Sequence, residues 1–203
     1  MKRAVVASAN PGKLRELTAL LAPAGIALVS QSALGIQAVP ETGTTFLENA
    51  LLKARHAARA AQLAALADDS GIEVDALGGR PGVHSARFAG EGASDAANLA
   101  RLLAELAGVP EARRTARYRC VVVWVRTADD PAPLTGEGTW EGRIALEPRG
   151  RGGFGYDPVF IPAGEQRTAA ELCVEEKNRV SHRAQALRAL VAALKSGGVY
   201  SRP

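Results

Sequence analysis

Long apolar runs are missing from this sequence. No segment approaches the roughly 18 consecutive apolar residues of a membrane-spanning helix. Near the N-terminus the only unbroken apolar run is Ala4-Val5-Val6-Ala7, too short for the core of a signal peptide. The expected compartment is the cytoplasm, with no membrane partner. Cysteine is scarce: Cys120 and Cys173 stand far apart and form no pattern. That argues against a disulfide framework and against a structural zinc site. Lysine is also rare, with Lys2, Lys13, Lys53, Lys177 and Lys195 the only lysines among 25 basic residues. Aromatics are 4% of the chain, so one left in a polar loop stands out.

What is present is the composition of a soluble globular protein, 47% hydrophobic and 23% charged over 203 residues. That length suits one large domain or one domain with two lobes, and residues 1–203 are read as a single domain. A net charge of +4 is a weak pointer to an anionic partner.

Ala4 to Ala7 reads as a buried first strand, and Ser8-Ala9-Asn10-Pro11-Gly12 as a turn of small and helix-capping residues. A helix should start near Pro11, since proline is well tolerated at the first helical position. Leu14, Leu17 and Leu21 give it an apolar stripe, and Pro23 with Gly25 stops it. Strand, small polar loop and helix together aim backbone N–H groups and a positive dipole end at the loop. Lys13 in the first turn opposes that dipole; a bound anion would explain it, and a plain turn with a surface lysine is the alternative. The spacing is not that of a Walker A loop. Ile26 to Val29 is a second strand. Thr45-Phe46-Leu47-Glu48 has the form of a capping box, so a second helix begins there and runs to about Gln62. Asn49 and Lys53 stand four apart and share one face of it. Glu41 lies in the loop just before.

Leu63-Ala64-Ala65-Leu66-Ala67 reads as a short buried strand with Asp68-Asp69-Ser70-Gly71 at its mouth. Two adjacent carboxylates in a dry setting repel each other. A divalent cation would relieve them, and hard oxygen ligands suit Mg²⁺. An exposed Asp-Asp turn is the competing reading.

Ser94 caps a helix with Leu99, Leu102, Leu103 and Leu106 on its core face, and Gly108 stops it. Tyr118 to Arg126 is the clearest strand, and Leu134 to Leu146 a further strand or hairpin. Arg113, Arg114, Arg117 and Arg119 form a solvated strand entrance or a nucleic-acid patch. Gly150-Arg151-Gly152-Gly153-Phe154-Gly155 matches a dinucleotide fingerprint by letters alone, because Tyr156-Asp157-Pro158 follows where a helix is needed. What remains is a glycine loop presenting Phe154 and Tyr156 beside Asp157, suited to stacking on a flat ring. Phe154 turned inward is the alternative. Val159-Phe160-Ile161 resumes a strand, and Thr168 to Glu171 is another capping box. Glu175 to Arg179 reads as a charged, exposed connection. Ser181 caps a last helix, with Leu187, Leu190, Val191 and Leu194 buried and Gly197 as its stop. His182 and Arg183 occupy its first turn, where an arginine again opposes the dipole.

Five blocks taken together resemble the Ham1-like, or RdgB-type, nucleoside triphosphate pyrophosphatases, the family that includes inosine triphosphatase. They are Ser8 to Glu16; Thr45 to Ala50 with Lys53-Ala54; Ala67 to Gly82; Gly152 to Phe160; and Glu175 to Asn178 with Ser181-His182-Arg183. Small departures are His84, where tyrosine is usual, and Val180, where isoleucine is common.

The resemblance implies an α/β fold, a long mixed β-sheet flanked by helices, in two lobes with a central nucleotide cleft. It implies a homodimer and Mg²⁺-dependent hydrolysis of noncanonical purine triphosphates (XTP, ITP, dITP) to the monophosphate and pyrophosphate, cleansing the nucleotide pool. It points to Asp69 rather than Asp68 as the base that deprotonates the attacking water, and to Glu41 and Asp69 as metal ligands. Lys13 and Lys53, with the backbone of Ser8, Ala9, Asn10, Pro11, Gly12 and Lys13, are expected to hold phosphates, and Ser70 a phosphate or the sugar. Phe154 would stack on the base within the segment Phe154, Gly155, Tyr156 and Asp157. Donors from Lys177, the Asp157 backbone, His182 or Arg183 would favour a 6-oxo acceptor over the amino group of adenine. Two rivals remain: a nucleic-acid-binding module built on Arg113 to Arg119, and a Maf-like pyrophosphatase acting on modified pyrimidines. No nucleic-acid partner is expected.

Overall fold

The computed structural model describes residues 2–8, 10–22 and 25–196. The expected positions Ala9, Pro23 and Gly197 lie outside the described residues. In order, the elements are β1 (Lys2–Val6), α1 (Pro11–Leu21), β2 (Ile26–Ser30), α2 (Phe46–Ala61), β3 (Ala64–Val74), α3 (Asp95–Glu105), β4 (Thr115–Val125), β5 (Leu134–Ile144), β6 (Phe160–Pro162), α4 (Val174–Val180) and α5 (His182–Ser196). The six strands form one mixed sheet in the order β2-β1-β3-β4-β5-β6. β1 runs parallel to both neighbours, pairing Val5 with Val29 and with Ala65, whereas β5 and β6 are antiparallel. Ala4, Val5 and Val6 are all fully buried, as an unbroken apolar run in a parallel strand covered on both faces should be.

Local signals set most helix starts. Asn10 Oδ1 accepts from the N–H groups of Gly12 and Lys13 at 2.8 and 3.1 Å and so opens α1. At α2 the capping box closes both ways: Thr45 Oγ1 accepts from the Glu48 N–H, and Glu48 Oε2 accepts from the Thr45 N–H.

The chain packs as two compact units, one of Met1–Asp69, Cys120–Gly138 and Arg183–Pro203, the other of Ser70–Arg119 and Thr139–His182. The core of the first gathers Val6, Leu17, Leu66, Val122, Leu187 and Leu190. Here Gly136 of β5 leaves room for α5, since a Cβ would collide with the Ala186 carbonyl and lie 2.7 Å from the Leu190 nitrogen. The core of the second gathers Ile72, Val74, Leu102, Leu106, Tyr118 and Phe160.

Three expectations change. β3 does not end at Ala67; it runs straight through Asp68, Asp69, Ser70 and Gly71 to Val74. The pair is therefore inside a strand, because each carboxylate has a cationic partner and Ile72 and Val74 resume full burial beyond them. Glu175 to Arg179 is no exposed loop but the body of α4, with Lys177 buried. Arg114 is buried and donates to the carbonyls of Leu106, Val109 and Ala145, while Arg117 pairs with Asp75 and Glu141. Basic side chains spent on carbonyls and carboxylates make a poor nucleic-acid patch. Among the described residues, no helix is long and apolar enough to cross a membrane.

Candidate active site

In the first unit, a loop, two helices and a strand bring charge together. Lys53 Nζ lies 2.7 Å from Glu41 Oε1 and 2.9 Å from Asp69 Oδ1. Asn49, one helical turn before Lys53, donates from Nδ2 to Asp69 Oδ2 at 3.2 Å. Successive strand residues face opposite sides, and the two aspartates part accordingly. Asp68 Oδ2 receives Lys13 Nζ at 3.1 Å and the Arg183 guanidinium at 3.3 Å, and Arg183 also pairs with Glu16.

These environments drive the neighbouring carboxyls in opposite directions. For Asp69 burial dominates and holds its pKa above the ordinary value, against Lys53 and Lys13 and with help from the Glu41 charge. Burial pushes Asp68 the same way, but Lys13, Arg183 and Lys53 together outweigh it and hold that carboxyl well below the usual range. Burial would lower Lys53, yet Asp69, Asp68 and Glu41 keep its ammonium firmly protonated. Burial lifts the Cys120 thiol to about 12, which makes it inert as a nucleophile. The aspartate side chains are 0% and 6% exposed, against 17% for Lys13 and 13% for Lys53. In each aspartate–lysine pair the lysine is the more exposed partner.

Mg²⁺ is the metal the resemblance implies, and the donor set fits it. Glu41 and Asp69, from separate elements, already converge on one cation, the Lys53 ammonium. Among the described residues no three acidic, histidine or cysteine side chains close around a point, so there is no all-protein cage. Mg²⁺ commonly binds through one or two carboxylates with water and substrate phosphates completing the shell.

The α1 start differs from expectation. The N–H groups of Gly12 and Lys13 are taken by Asn10 Oδ1, that of Leu14 by the Asn10 carbonyl, and that of Asn10 by Ser8 Oγ. The N–H groups of Asn10, Gly12 and Lys13 are thus engaged within the segment, and Pro11 has no N–H to offer. What α1 extends toward an anion is its dipole end and the Lys13 ammonium. Ser70, next along β3, is half-buried.

In the second unit, Asp157 organises the glycine loop. Its Oδ2 accepts from the Phe154 N–H at 2.8 Å and from Lys177 Nζ at 2.7 Å. Lys177 Nζ also sits 4.8 Å from the centre of the half-buried Phe154 ring. Gly153 adopts φ +71°, and a Cβ there would run into the Asp157 carboxylate, so this position needs glycine. The Gly155 N–H donates to Asp95 Oδ2 at 2.7 Å. His182 is buried and stacks on Tyr118 with ring centres 4.6 Å apart.

Three expected roles do not match these contacts. Tyr156 is not presented by the loop; it is buried, and its hydroxyl donates to the Ser85 carbonyl at 2.8 Å. The Asp157 N–H donates to the Phe154 carbonyl at 3.2 Å rather than pointing at a base. Arg183, 1% exposed, turns its guanidinium to Asp68 and Glu16, because a buried cation must be paired. In this structure its guanidinium lies with the carboxylates of the first unit. Sequence reasoning placed Asn49 on the Lys53 face without giving it a role, and it gave none to Glu16 or Asp95. Asn49 carried a signal, a polar residue between the buried Ala50 and the start of α2; Asp95 carried none, since its partner is 60 residues away.

An α/β sheet whose neighbouring carboxylates each face a lysine, Lys13 in the first turn of α1 and Lys53 in the body of α2, has the features of a phosphate-handling site of the open α/β class. The chain belongs to the Ham1 family, whose model matches residues 4–193. It is 53% identical over 197 residues to the dITP/XTP pyrophosphatase of Escherichia coli strain K12, covering 97% of this chain and 100% of that one. It is 57% identical over 195 residues to the dITP/XTP pyrophosphatase of Methylococcus capsulatus, covering 96% and 97%. Its structure is similar to that of a Ham1 protein from Coxiella burnetii, with a TM-score of 0.88 and 47% identity over 97% of this chain and 100% of the other.

Proposed function

We propose that this chain hydrolyses noncanonical purine nucleoside triphosphates (XTP, ITP and dITP) to the monophosphate and pyrophosphate. The observation that carries the reading is the Lys53 ammonium held between Glu41 and Asp69, with the Asp69 carboxyl raised by burial. A raised carboxyl is a better base, and general bases work best with a pKa near the operating pH. The 53–57% identity to enzymes named dITP/XTP pyrophosphatases supports the substrate class. Glu41 and Asp69 would hold Mg²⁺, which when bound supplies charge neutralisation on phosphate oxygens. Asp69 takes the proton of the attacking water. Lys13 and Lys53 grip the phosphates, and Ser70 adds a hydroxyl to a phosphate or the sugar.

At the base, Phe154 stacks and the Lys177 ammonium beside it favours an oxo acceptor. An amino group facing donors leaves polar groups unmet, costing about 1–3 kcal/mol, or roughly five- to a hundredfold. The domain is a single functional one over residues 1–203, working as a cytoplasmic homodimer; a monomeric mass by sedimentation would remove the dimer.

A panel of triphosphates incubated with Mg²⁺ tests the activity. ITP and XTP should outpace ATP and release pyrophosphate; release of single phosphate, or a preference for pyrimidines, ends the reading. Phe154→Ala should cut kcat/KM for ITP by about five- to a hundredfold, the worth of one stacked base. Kinetics equal to wild type would show that the ring packs instead of stacking.

A further inference from the structure

We infer that Asn49 is a positioning residue that sets the Asp69 carboxylate for catalysis and ties it to the segment carrying Glu41. The inference rests on the reading of Asp69 as the base. Asn49 is fully buried on α2 and spends both ends of its amide. Its Oδ1 accepts from the Gly43 N–H at 2.8 Å, and its Nδ2 donates to Asp69 Oδ2 at 3.2 Å.

The polarity of the first bond decides the second. A backbone N–H can only donate, so the amide oxygen must face Gly43 and the NH₂ must face the carboxylate. Asp69 is then pinned at both oxygens by two residues one helical turn apart, Oδ1 by Lys53 and Oδ2 by Asn49. Oδ1 shares its cation with Glu41, while Oδ2 lies against a neutral donor. One carboxylate thus has one oxygen facing a cation and the other held by a neutral donor, so its plane is fixed from both sides.

Gly43 shows that the contact is tight. A Cβ on it would lie 2.7 Å from Asn49 Oδ1 and 2.7 Å from Glu48 Cβ. Its backbone angle is not in the left-handed region, so close approach rather than conformational freedom requires the glycine. Glu41, two residues earlier, is carried by the same segment. Moving Asn49 therefore disturbs Asp69 directly and Glu41 through Gly43.

The test compares Asn49→Asp with wild type and with Asp69→Asn. Asn49→Asp keeps the shape and the acceptor for Gly43 but replaces the donor with an acceptor. Expected are a fall in kcat for ITP of at least tenfold, KM within threefold of wild type, and a changed Mn²⁺ affinity in the absence of substrate by electron paramagnetic resonance. A merely structural role would lower the thermal midpoint while leaving kcat of the folded fraction alone. If Asn49→Asp does not fold, Asn49→Ser takes its place with the same expectations, and failure of both to fold overturns the inference in favour of a structural role. Wild-type kcat and Mn²⁺ binding in a folded variant also overturn it. Asp69→Asn separates the two readings: if it is inactive while Asn49→Asp is normal, only the role of Asn49 fails; if it is active, the reading of Asp69 as base fails first.

Discussion

Asp68→Ala lowers the stability of the protein by about 3 kcal/mol, read as the shift of a urea unfolding curve at pH 7. The variant leaves Arg183, 1% exposed, without its fully buried carboxylate partner. Breaking a buried pair from one side typically costs about 3–5 kcal/mol. The low end applies because Glu16 still meets Arg183. Small domains are stable by only about 5–15 kcal/mol, so the loss is a large fraction of the whole. Changing both partners, Asp68→Ala with Arg183→Met, should recover much of it, because the uncompensated charge is gone. A loss under 1 kcal/mol in the single variant would mean that water reaches Arg183.

The same pair makes stability depend on acid. Burial opposes ionisation of Asp68, but Lys13, Arg183 and Lys53 win and depress its pKa below the ordinary 3.8. A carboxyl depressed in the folded state contributes stability in full above its unfolded pKa and loses it as pH falls through the folded value. The advantage of wild type over Asp68→Asn should be constant near neutrality and shrink only below about pH 3.8. A gap that closes nearer pH 6 would assign it to some other group.

Much of the frame was legible because local chemistry wrote it. The Thr45–Glu48 capping box, the Asn10 cap with Pro11 behind it, and the apolar runs of β1 and β4 each act within a few residues. β3 was not, because two adjacent aspartates look like a turn until their partners are known. Those partners, Lys13, Lys53, Asn49 and Arg183, come from α1, α2 and α5. The same limit hid the inward turn of Tyr156, whose hydroxyl partner is 71 residues away. It also hid the burial of Arg183, which in sequence is one more arginine in a helix's first turn. Residue types announced the chemistry; only the fold could say which side chain was spent on structure.

Asp69→Asn should reduce turnover of ITP by about a hundred- to ten-thousandfold, the usual contribution of a general base. The amide keeps the shape of the carboxylate but offers a single acceptor oxygen to two donors, Lys53 and Asn49, so it loses one of those contacts as well as the base and its charge. Stability moves the other way from Asp68. Burial raises the Asp69 pKa above that of the unfolded chain, so ionising it costs folded-state stability as pH rises through the raised value. Asp69→Asn removes that cost but leaves one of the two donors facing an amide N–H, so at pH 7 its loss of stability should be smaller than that of Asp68→Ala. The activity of the wild type should climb with pH on the acid side, because the ionised form of the proposed base is the working one. Two neighbouring carboxylates are thus opposed: one is ionised easily and paired with a buried arginine, the other ionises reluctantly and is the proposed base. An Asp69→Asn enzyme that keeps its turnover, or that is as unstable as Asp68→Ala, would exchange those assignments.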